Sequence, residues 1–120
     1  MQIDEIREYC LAKRGVYEET PFGPQTLTFK VMEKIFLFLP LDEVQPKCSI
    51  KGDPDRWVEL REQYSEIYTG PYLNKKHWSL IECDGAVPDK LLYELIDRSY
   101  ELVVKGLTKK QRDELDALEI

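Results

Sequence analysis

Residues 26–40, "TLTFKVMEKIFLFLP", contain two consecutive runs that are rich in β-branched and aromatic side chains. Such residues favour strands, and the runs are broken near Glu33 and Lys34, where the chain can reverse. The segment "PKCSIKG" at residues 46–52 alternates in the same way, although more weakly. We therefore expect the region from Val16 to Gly52 to form a meander of antiparallel strands.

Helical patterns flank this region on both sides. Apolar residues recur at helical spacing from Ile3 to Cys10, which predicts a first helix from about residue 2 to residue 13. After the meander, Asp53 and Pro54 provide an N-cap and a proline at the first helical position. A short helix is predicted to follow, to about residue 64.

The rest of the chain reads as one more strand and two helices. The alternating segment "WSLIECD" at residues 78–84 predicts the strand, and Pro88 opens the longest helix, which Gly106 ends. Thr108 and Gln111 have the spacing of a capping box for a last helix. Strands enclosed by helices in this order indicate a two-layer α+β domain, and we expect residues 1–120 to form a single domain.

Composition limits where the protein works and what it binds. The 120 residues carry a formal net charge of −6, which argues against coating nucleic acid with the whole surface but leaves room for a local basic face. No apolar run is long enough to cross a bilayer, and the acidic N-terminus lacks the pattern of a signal peptide. The three cysteines are far apart in the sequence, without a CxxC pair, and are interpreted as reduced thiols. A cytoplasmic protein without a membrane partner is expected.

The sequence contains no recognisable catalytic apparatus. Its only histidine, His77, stands between Lys76 and Trp78, outside any nucleophile motif, and no phosphate-binding glycine loop occurs. We therefore expect neither an enzyme nor a cofactor site. Asp4 and Glu8 lie on one face of the first helix, but acids near a helix start are already favoured by its macrodipole, so no metal site is assigned.

A basic and aromatic cluster is the strongest candidate for a binding site. Lysines that alternate with aromatic rings are typical of proteins that contact phosphates and stack on bases. The competing interpretation is that lysines protect strand edges from association and that the tryptophan is buried in the core. The candidate nucleic-acid-binding residues are Asn74, Lys75, Lys76, His77 and Trp78, together with Lys30, Lys34, Lys47 and Lys51.

Four segments of the chain resemble the MmcQ/YjbR family of small bacterial proteins. They are "PFGPQTLTFKV" with the following "KIFLFLPL", then "KGDPDRWVELREQY", "YLNKKHWSLIECDG" and "LIDRSYELVVKGLTKKQRDEL". Together they cover nearly the whole chain. The string Leu-Asn-Lys-Lys-His-Trp at residues 73–78 is the most specific, and the Ser99-Tyr100 pair supports it.

This resemblance implies a fold and a function. The fold is a CyaY-like, that is frataxin-like, α+β sandwich in which an antiparallel sheet is backed by the N- and C-terminal helices. The function is DNA binding through a double-wing motif, whose hairpins would lie near Glu33-Lys34 and around Gly70, with residues 21–23 as a rigid loop. Metal binding by the acids Asp4, Glu5, Glu8, Glu18 and Glu19, as in frataxins, is a minor alternative.

A second function class stays open at this point. In this alternative, Tyr72, His77 and Trp78 line a pocket for a protein or small-molecule partner, and the lysines serve only solubility. The two classes differ in their response to salt, since contacts with phosphates weaken steeply as salt rises whereas an aromatic pocket hardly responds.

Overall fold

The computed structural model describes residues 1–118, which form a six-stranded antiparallel sheet and four helices. The strands are arranged in the order β1-β2-β3-β4-β6-β5. This is the two-layer α+β architecture that the sequence and the resemblance predict, with the terminal helices packed on the sheet. The elements in chain order are α1 (Ile3–Leu11), β1 (Val16–Glu19), β2 (Thr26–Val31), β3 (Lys34–Pro40), β4 (Lys47–Lys51), α2 (Pro54–Gln63), β5 (Ile67–Tyr68), β6 (Trp78–Glu82), α3 (Asp89–Lys105) and α4 (Lys109–Asp116).

The predicted elements are present, with small differences at their ends. The capping box of Thr108 and Gln111 is formed, and Gly106 caps α3. Pro88 is the N-cap of α3 rather than its first residue. The two-residue strand β5 has too short a pattern for the sequence to show it. No helix in residues 1–118 is long and apolar enough to span a bilayer.

The side chain of Asp53 does not do what its position predicts. Asp53 is the N-cap residue of α2, but it makes no side-chain capping hydrogen bond. Its two carboxylate oxygens instead accept hydrogen bonds from Arg98 Nε and Nη2, at 2.8 and 3.0 Å. This bidentate pair lowers the pKa of Asp53 and connects the start of α2 to the middle of α3.

The helices and the sheet enclose one core on one face of the sheet. Alternate strand residues such as Phe29, Leu37 and Ile50 are fully buried there and are paired across neighbouring strands. Trp57 of α2 and Leu92 of α3 belong to the same buried cluster. In residues 1–118 no helix covers the opposite face of the sheet, which we call the open face. The open face is formed by Tyr17, Glu19, Thr26, Thr28, Lys30, Ile35, Phe38, Pro40, Lys47, Ser49, Lys51, Tyr68, Trp78, Leu80 and Glu82.

A bulge in β3 gives the core an additional aromatic ring. Phe29 is paired with Leu37 and Lys30 with Ile35, so Phe36 has no partner on β2. A bulge of this kind breaks the strict alternation of side chains, and both Phe36 and Leu37 are fully buried. The Phe36 ring packs edge-on against Tyr100 of α3, with ring centroids 5.6 Å apart. The bulge therefore fixes α3 against the centre of the sheet.

The hydroxyl of Ser99 makes hydrogen bonds to the main chain at this bulge. Ser99 Oγ donates a hydrogen bond to the carbonyl oxygen of Phe36 at 2.6 Å and accepts one from the Lys51 amide at 3.0 Å. Ser99 is fully buried, so water cannot replace either contact. One side chain of α3 thus joins the irregular part of β3 to the end of β4.

The cysteines are free and buried, as expected for reduced thiols. Cys48 of β4 and Cys83, the residue directly after β6, have their Sγ atoms 3.4 Å apart. Burial raises the pKa of Cys10 to about 12, and the contact with Cys83 together with burial raises that of Cys48. Since the thiolate is the reactive form of cysteine, the raised pKa and the burial of Cys10 and Cys48 favour a structural role for these two side chains.

We expect the substitution Ser99→Ala to lower the free energy of unfolding by about 1–3 kcal/mol, because it leaves the Phe36 carbonyl and the Lys51 amide without partners. Urea unfolding followed by circular dichroism measures this difference. Ser65→Ala is the matched control, since Ser65 is exposed, and it should change the free energy by less than about 0.5 kcal/mol. Equal effects of the two substitutions would contradict this role of Ser99.

Candidate nucleic-acid interface

A compact turn presents the two adjacent lysines of the candidate site. Asn74 Oδ1 accepts a hydrogen bond from the Lys76 amide at 2.9 Å, which is the geometry of an Asx turn. The Asn74 carbonyl accepts hydrogen bonds from the amides of His77 and Trp78, at 3.3 and 2.9 Å. The turn holds its own backbone in place, and Lys75 and Lys76 are exposed on it.

Arg61 of α2 supports this turn from the core side. Its guanidinium donates hydrogen bonds to the carbonyls of Lys75 and Trp78, at 2.7 and 2.9 Å, and to Ser79 Oγ at 3.1 Å. No carboxylate in the described part of the chain forms an ion pair with Arg61, and burial lowers its pKa. Arginine stays protonated in proteins, so a positive charge without an acidic partner lies directly beneath the turn.

The main chain of His77, rather than its imidazole, has the structural role. The His77 carbonyl accepts hydrogen bonds from the Gly52 amide at 2.7 Å and from Trp57 Nε1 at 2.8 Å. A Cβ atom on Gly52 would lie within 2.7 Å of the Trp57 ring, so only glycine fits there. Among residues 1–118 the imidazole takes part in no hydrogen bond.

Strand register brings three of the predicted lysines onto the open face together with Trp78. Lys51 is paired directly with Trp78 across β4 and β6, and Lys47 is paired with Glu82 on the same two strands. Lys30 lies on the same face of β2. Trp78 is half-buried and does not belong to the core, in contrast to the interpretation that it serves only packing.

Lys34 does not join this group. Lys34 is paired with Val31, whose side chain is in the core. Lys34 therefore lies on the core side of the sheet, at the β2–β3 turn, and not on the open face. The expectation that Lys34 extends the patch is therefore wrong. The physical reason is the bulge at Phe36, which exchanges the faces of the residues that precede it in β3.

The remaining lysines differ in their acidic neighbours. Lys30 Nζ lies 3.3 Å from Glu19 Oε2, and Lys47 Nζ lies 3.8 Å from Glu43 Oε2, so both charges are balanced locally. Within residues 1–118, Lys51, Lys75 and Lys76 form no ion pair. Three lysines without an ion pair thus lie close to one another, where the turn meets the end of β4 and the start of β6.

Two aromatic rings of this surface were not among the candidate residues. Phe38 of β3 meets Trp78 edge-on with ring centroids 5.5 Å apart, and Phe22 of the β1–β2 loop stacks on Phe38 at 6.1 Å. Phe22 belongs to the predicted rigid loop, but its exposed fraction of 68% was not foreseeable from a single sequence. The segment "IFLFLP" alternates after the bulge, and this alternation places Phe38 on the open face with Thr28 and Ser49. The sequence does not show the position of the bulge, so the signal could not be used.

The alternative sites receive less support from the geometry. Depressions on the described surface lie along α4, between α2 and α3, and beside Gly15, and none of the three is lined by Tyr72, His77 or Trp78. Of the acids proposed for metal, Glu18 is bound by Arg7 at 2.5 and 2.7 Å and Glu19 by Lys30. No group of three metal-ligating side chains occurs in residues 1–118.

Comparison with known proteins identifies the family. The family model described as YjbR matches residues 11–102. The uncharacterised protein YjbR of Escherichia coli K12 is 34% identical over 112 residues, which cover 93% of this chain and 95% of that protein. The chain belongs to the YjbR family.

Other relatives of this YjbR-family chain confirm the fold. The uncharacterised protein YbdF of Escherichia coli O157:H7 is 35% identical over 92 residues, which cover 77% of this chain and 75% of that protein. A Deinococcus radiodurans crystal structure, described as a DUF419 domain, is 38% identical, covers 98% of this chain and 92% of its own, and has a TM-score of 0.89. A Pseudomonas syringae structure with 22% identity and a TM-score of 0.73, covering 85% of this chain and 98% of its own, shows the shared fold.

The hairpins at the two expected wing positions differ from each other in this YjbR-family chain. The β2–β3 hairpin turns tightly through Met32 and Glu33, which both have positive φ angles of 48° and 69°. The β5–β6 hairpin is closed by a long loop, residues 69–77, which contains the Asx turn. Of these two hairpins, only the second carries the uncompensated lysines Lys75 and Lys76.

We expect Arg61→Ala to loosen this loop and to destabilise the fold by about 1–3 kcal/mol, because it leaves two carbonyls and the buried hydroxyl of Ser79 without donors. Urea unfolding measures the stability, and amide hydrogen exchange at Lys76 and Trp78 measures the local opening. Arg112→Ala on α4 removes an exposed arginine and serves as the control. Unchanged amide exchange at Lys76 and Trp78 in Arg61→Ala would contradict the view that the hydrogen bonds of Arg61 hold the loop in place.

Proposed function

We propose that this YjbR-family protein is a non-enzymatic DNA-binding protein that contacts phosphates through a local lysine and aromatic surface. The observation that supports this most directly is a group of neighbouring cations without ion pairs at the end of β4 and the start of β6. Lys51, Lys75 and Lys76 have no acidic partner in residues 1–118, and the half-buried guanidinium of Arg61 lies beneath the turn. We call the surface formed by Lys51, Lys75, Lys76, His77 and Trp78 the basic corner.

The basic corner meets the usual requirements for binding an anionic backbone. Lysines on a rigid turn lose less conformational freedom on binding than lysines on a mobile loop. This turn is held by the hydrogen bond that Asn74 Oδ1 accepts from the Lys76 amide and by the one that Arg61 donates to the Lys75 carbonyl. A fixed guanidinium behind the turn adds to the potential at the surface without being neutralised by protein carboxylates. Lys30 and Lys47 flank the corner, but their ion pairs make them secondary contacts.

A protein partner is the second candidate. Tyr72, next to the turn, is 94% exposed, and tyrosine is enriched in protein interfaces. A protein interface built around Tyr72 would use the loop for apolar contact and the lysines for solubility. It would respond to Tyr72→Ala and only weakly to salt, which separates it from the phosphate-binding proposal.

The test is a fluorescence-anisotropy titration of labelled oligonucleotides with the full chain, from physiological salt upwards. Phosphate binding predicts a linear fall of log affinity with log salt, with a slope of about −0.7 to −0.9 per phosphate contacted. The double variant Lys75→Ala/Lys76→Ala should weaken binding and reduce the slope by about 1.4 to 1.8, because two contacts are lost.

The double variant Lys109→Ala/Lys110→Ala is the matched control. It removes two adjacent exposed lysines of α4, outside the basic corner, and therefore the same formal charge. If binding is local, this control keeps the slope of the unsubstituted protein. Equal losses in the two double variants would show a general charge effect, and no binding of any oligonucleotide would refute the proposed function.

A further inference from the structure

We propose that the open face binds single-stranded nucleic acid by stacking bases on Phe22 and Trp78, the outer rings of a row that has Phe38 at its centre. This inference rests on the proposed function and specifies its ligand. The three rings form a continuous row from the β1–β2 loop across β3 to β6, with centroids 6.1 and 5.5 Å apart. The row ends at the basic corner, where Lys51 is paired with Trp78.

The row exists because a small residue lies between its members. Phe38 and Trp78 are on β3 and β6, which are separated by β4. The open-face residue of β4 beside Phe38 is Ser49, and its short side chain lets the two rings meet across the strand. A larger residue at this position would separate the rings and interrupt the row.

Core packing does not explain the exposed position of Phe22 in this row. Its ring is 68% exposed although phenylalanine is normally buried. One face of the ring stacks on Phe38 with an interplanar angle of 29°, and the loop around it is stiffened by Pro21, Pro24 and the hydrogen bond from the Gly23 amide to the Thr20 carbonyl at 3.3 Å. An exposed ring held in one orientation is suited to stacking with little loss of freedom.

The spacing and the charges favour a single strand over a duplex. Neighbouring ring centroids are more than 5 Å apart, whereas bases stacked in a duplex are separated by about 3.4 Å along each strand. Bases that each lie on one of these rings must therefore be unstacked from one another, which a single strand permits. A phosphate backbone leaving Trp78 would reach Lys51 and the lysines of the turn, and this pattern of rings beside cations is how single strands are bound.

The experiment compares three probes: a short oligothymidylate, the same strand in a duplex, and an abasic strand of equal length and charge. We expect the oligothymidylate to bind most tightly and to quench the fluorescence of Trp78, while Trp57, which is 1% exposed, does not respond. Phe22→Ala should lower the affinity for oligothymidylate at least about fivefold, the effect typical of losing one stacked base. Its salt slope should stay unchanged, because no phosphate contact is removed. A uridylate strand then shows whether RNA binds as well as DNA.

Tyr72→Ala is the matched control, since Tyr72 is an exposed aromatic residue outside the row. It should leave the affinity for oligothymidylate within twofold, as a factor that small corresponds to less than about 0.5 kcal/mol. Equal affinity for the oligothymidylate and the abasic strand, with no effect of Phe22→Ala, would overturn the stacking inference. If the Lys75→Ala/Lys76→Ala variant still lost affinity in that case, the proposed phosphate binding would stand alone. Absence of binding by all probes would refute both.

Discussion

The contact between Ser99 and the β3 bulge is the interaction on which the rest of the structure depends. The bulge buries both Phe36 and Leu37, but it leaves a main-chain carbonyl without a partner in the sheet. Ser99 supplies that partner and at the same time holds the amide of Lys51. A buried and unsatisfied carbonyl costs about as much as a hydrogen bond contributes, so the bulge and the serine depend on each other. The position of α3 follows from this contact.

The same contact positions the functional surface. Lys51 ends β4, and the next residue, Gly52, donates its amide to the carbonyl of His77. That carbonyl is also bound by Trp57 of α2, whose start is connected to α3 through Asp53 and Arg98. The basic corner is therefore built from the ends of elements that the core already holds. Its lysines project from a backbone that is rigid before any ligand binds.

Sequence patterns predicted most of the fold but only part of the site. The β-rich runs at residues 26–40, the proline and capping signals and the glycine stop at Gly106 are local, and each marks an element correctly. Local sequence does not determine on which face of the sheet a strand residue lies. The bulge at Phe36 changes the alternation of side chains and places Lys34 on the face opposite to Lys30. Arg61 was also missed, since nothing in a helix sequence shows that an arginine will donate hydrogen bonds to the carbonyl of Lys75 in a distant loop and to two oxygens at the start of β6. The exposure of Phe22 depends on tertiary packing in the same way.

A protein with a net charge of −6 repels an anionic ligand as a whole. The proposed site is compatible with this charge only where salt screens the distant acidic residues, so that nearby groups determine the interaction. The molecule measures 40 × 31 × 26 Å, and in dilute salt of about 0.01 M the Debye length is about 30 Å, so a polyanion is repelled by the whole protein. At physiological ionic strength the Debye length is about 8 Å, and a phosphate at the basic corner is affected mainly by Lys51, Lys75, Lys76 and Arg61. The acidic remainder then discourages binding elsewhere on the surface and directs the ligand to one place. The acidic composition is thus compatible with the proposed nucleic-acid ligand, provided that the ligand binds at the basic corner, where Lys51, Lys75 and Lys76 form no ion pair in residues 1–118.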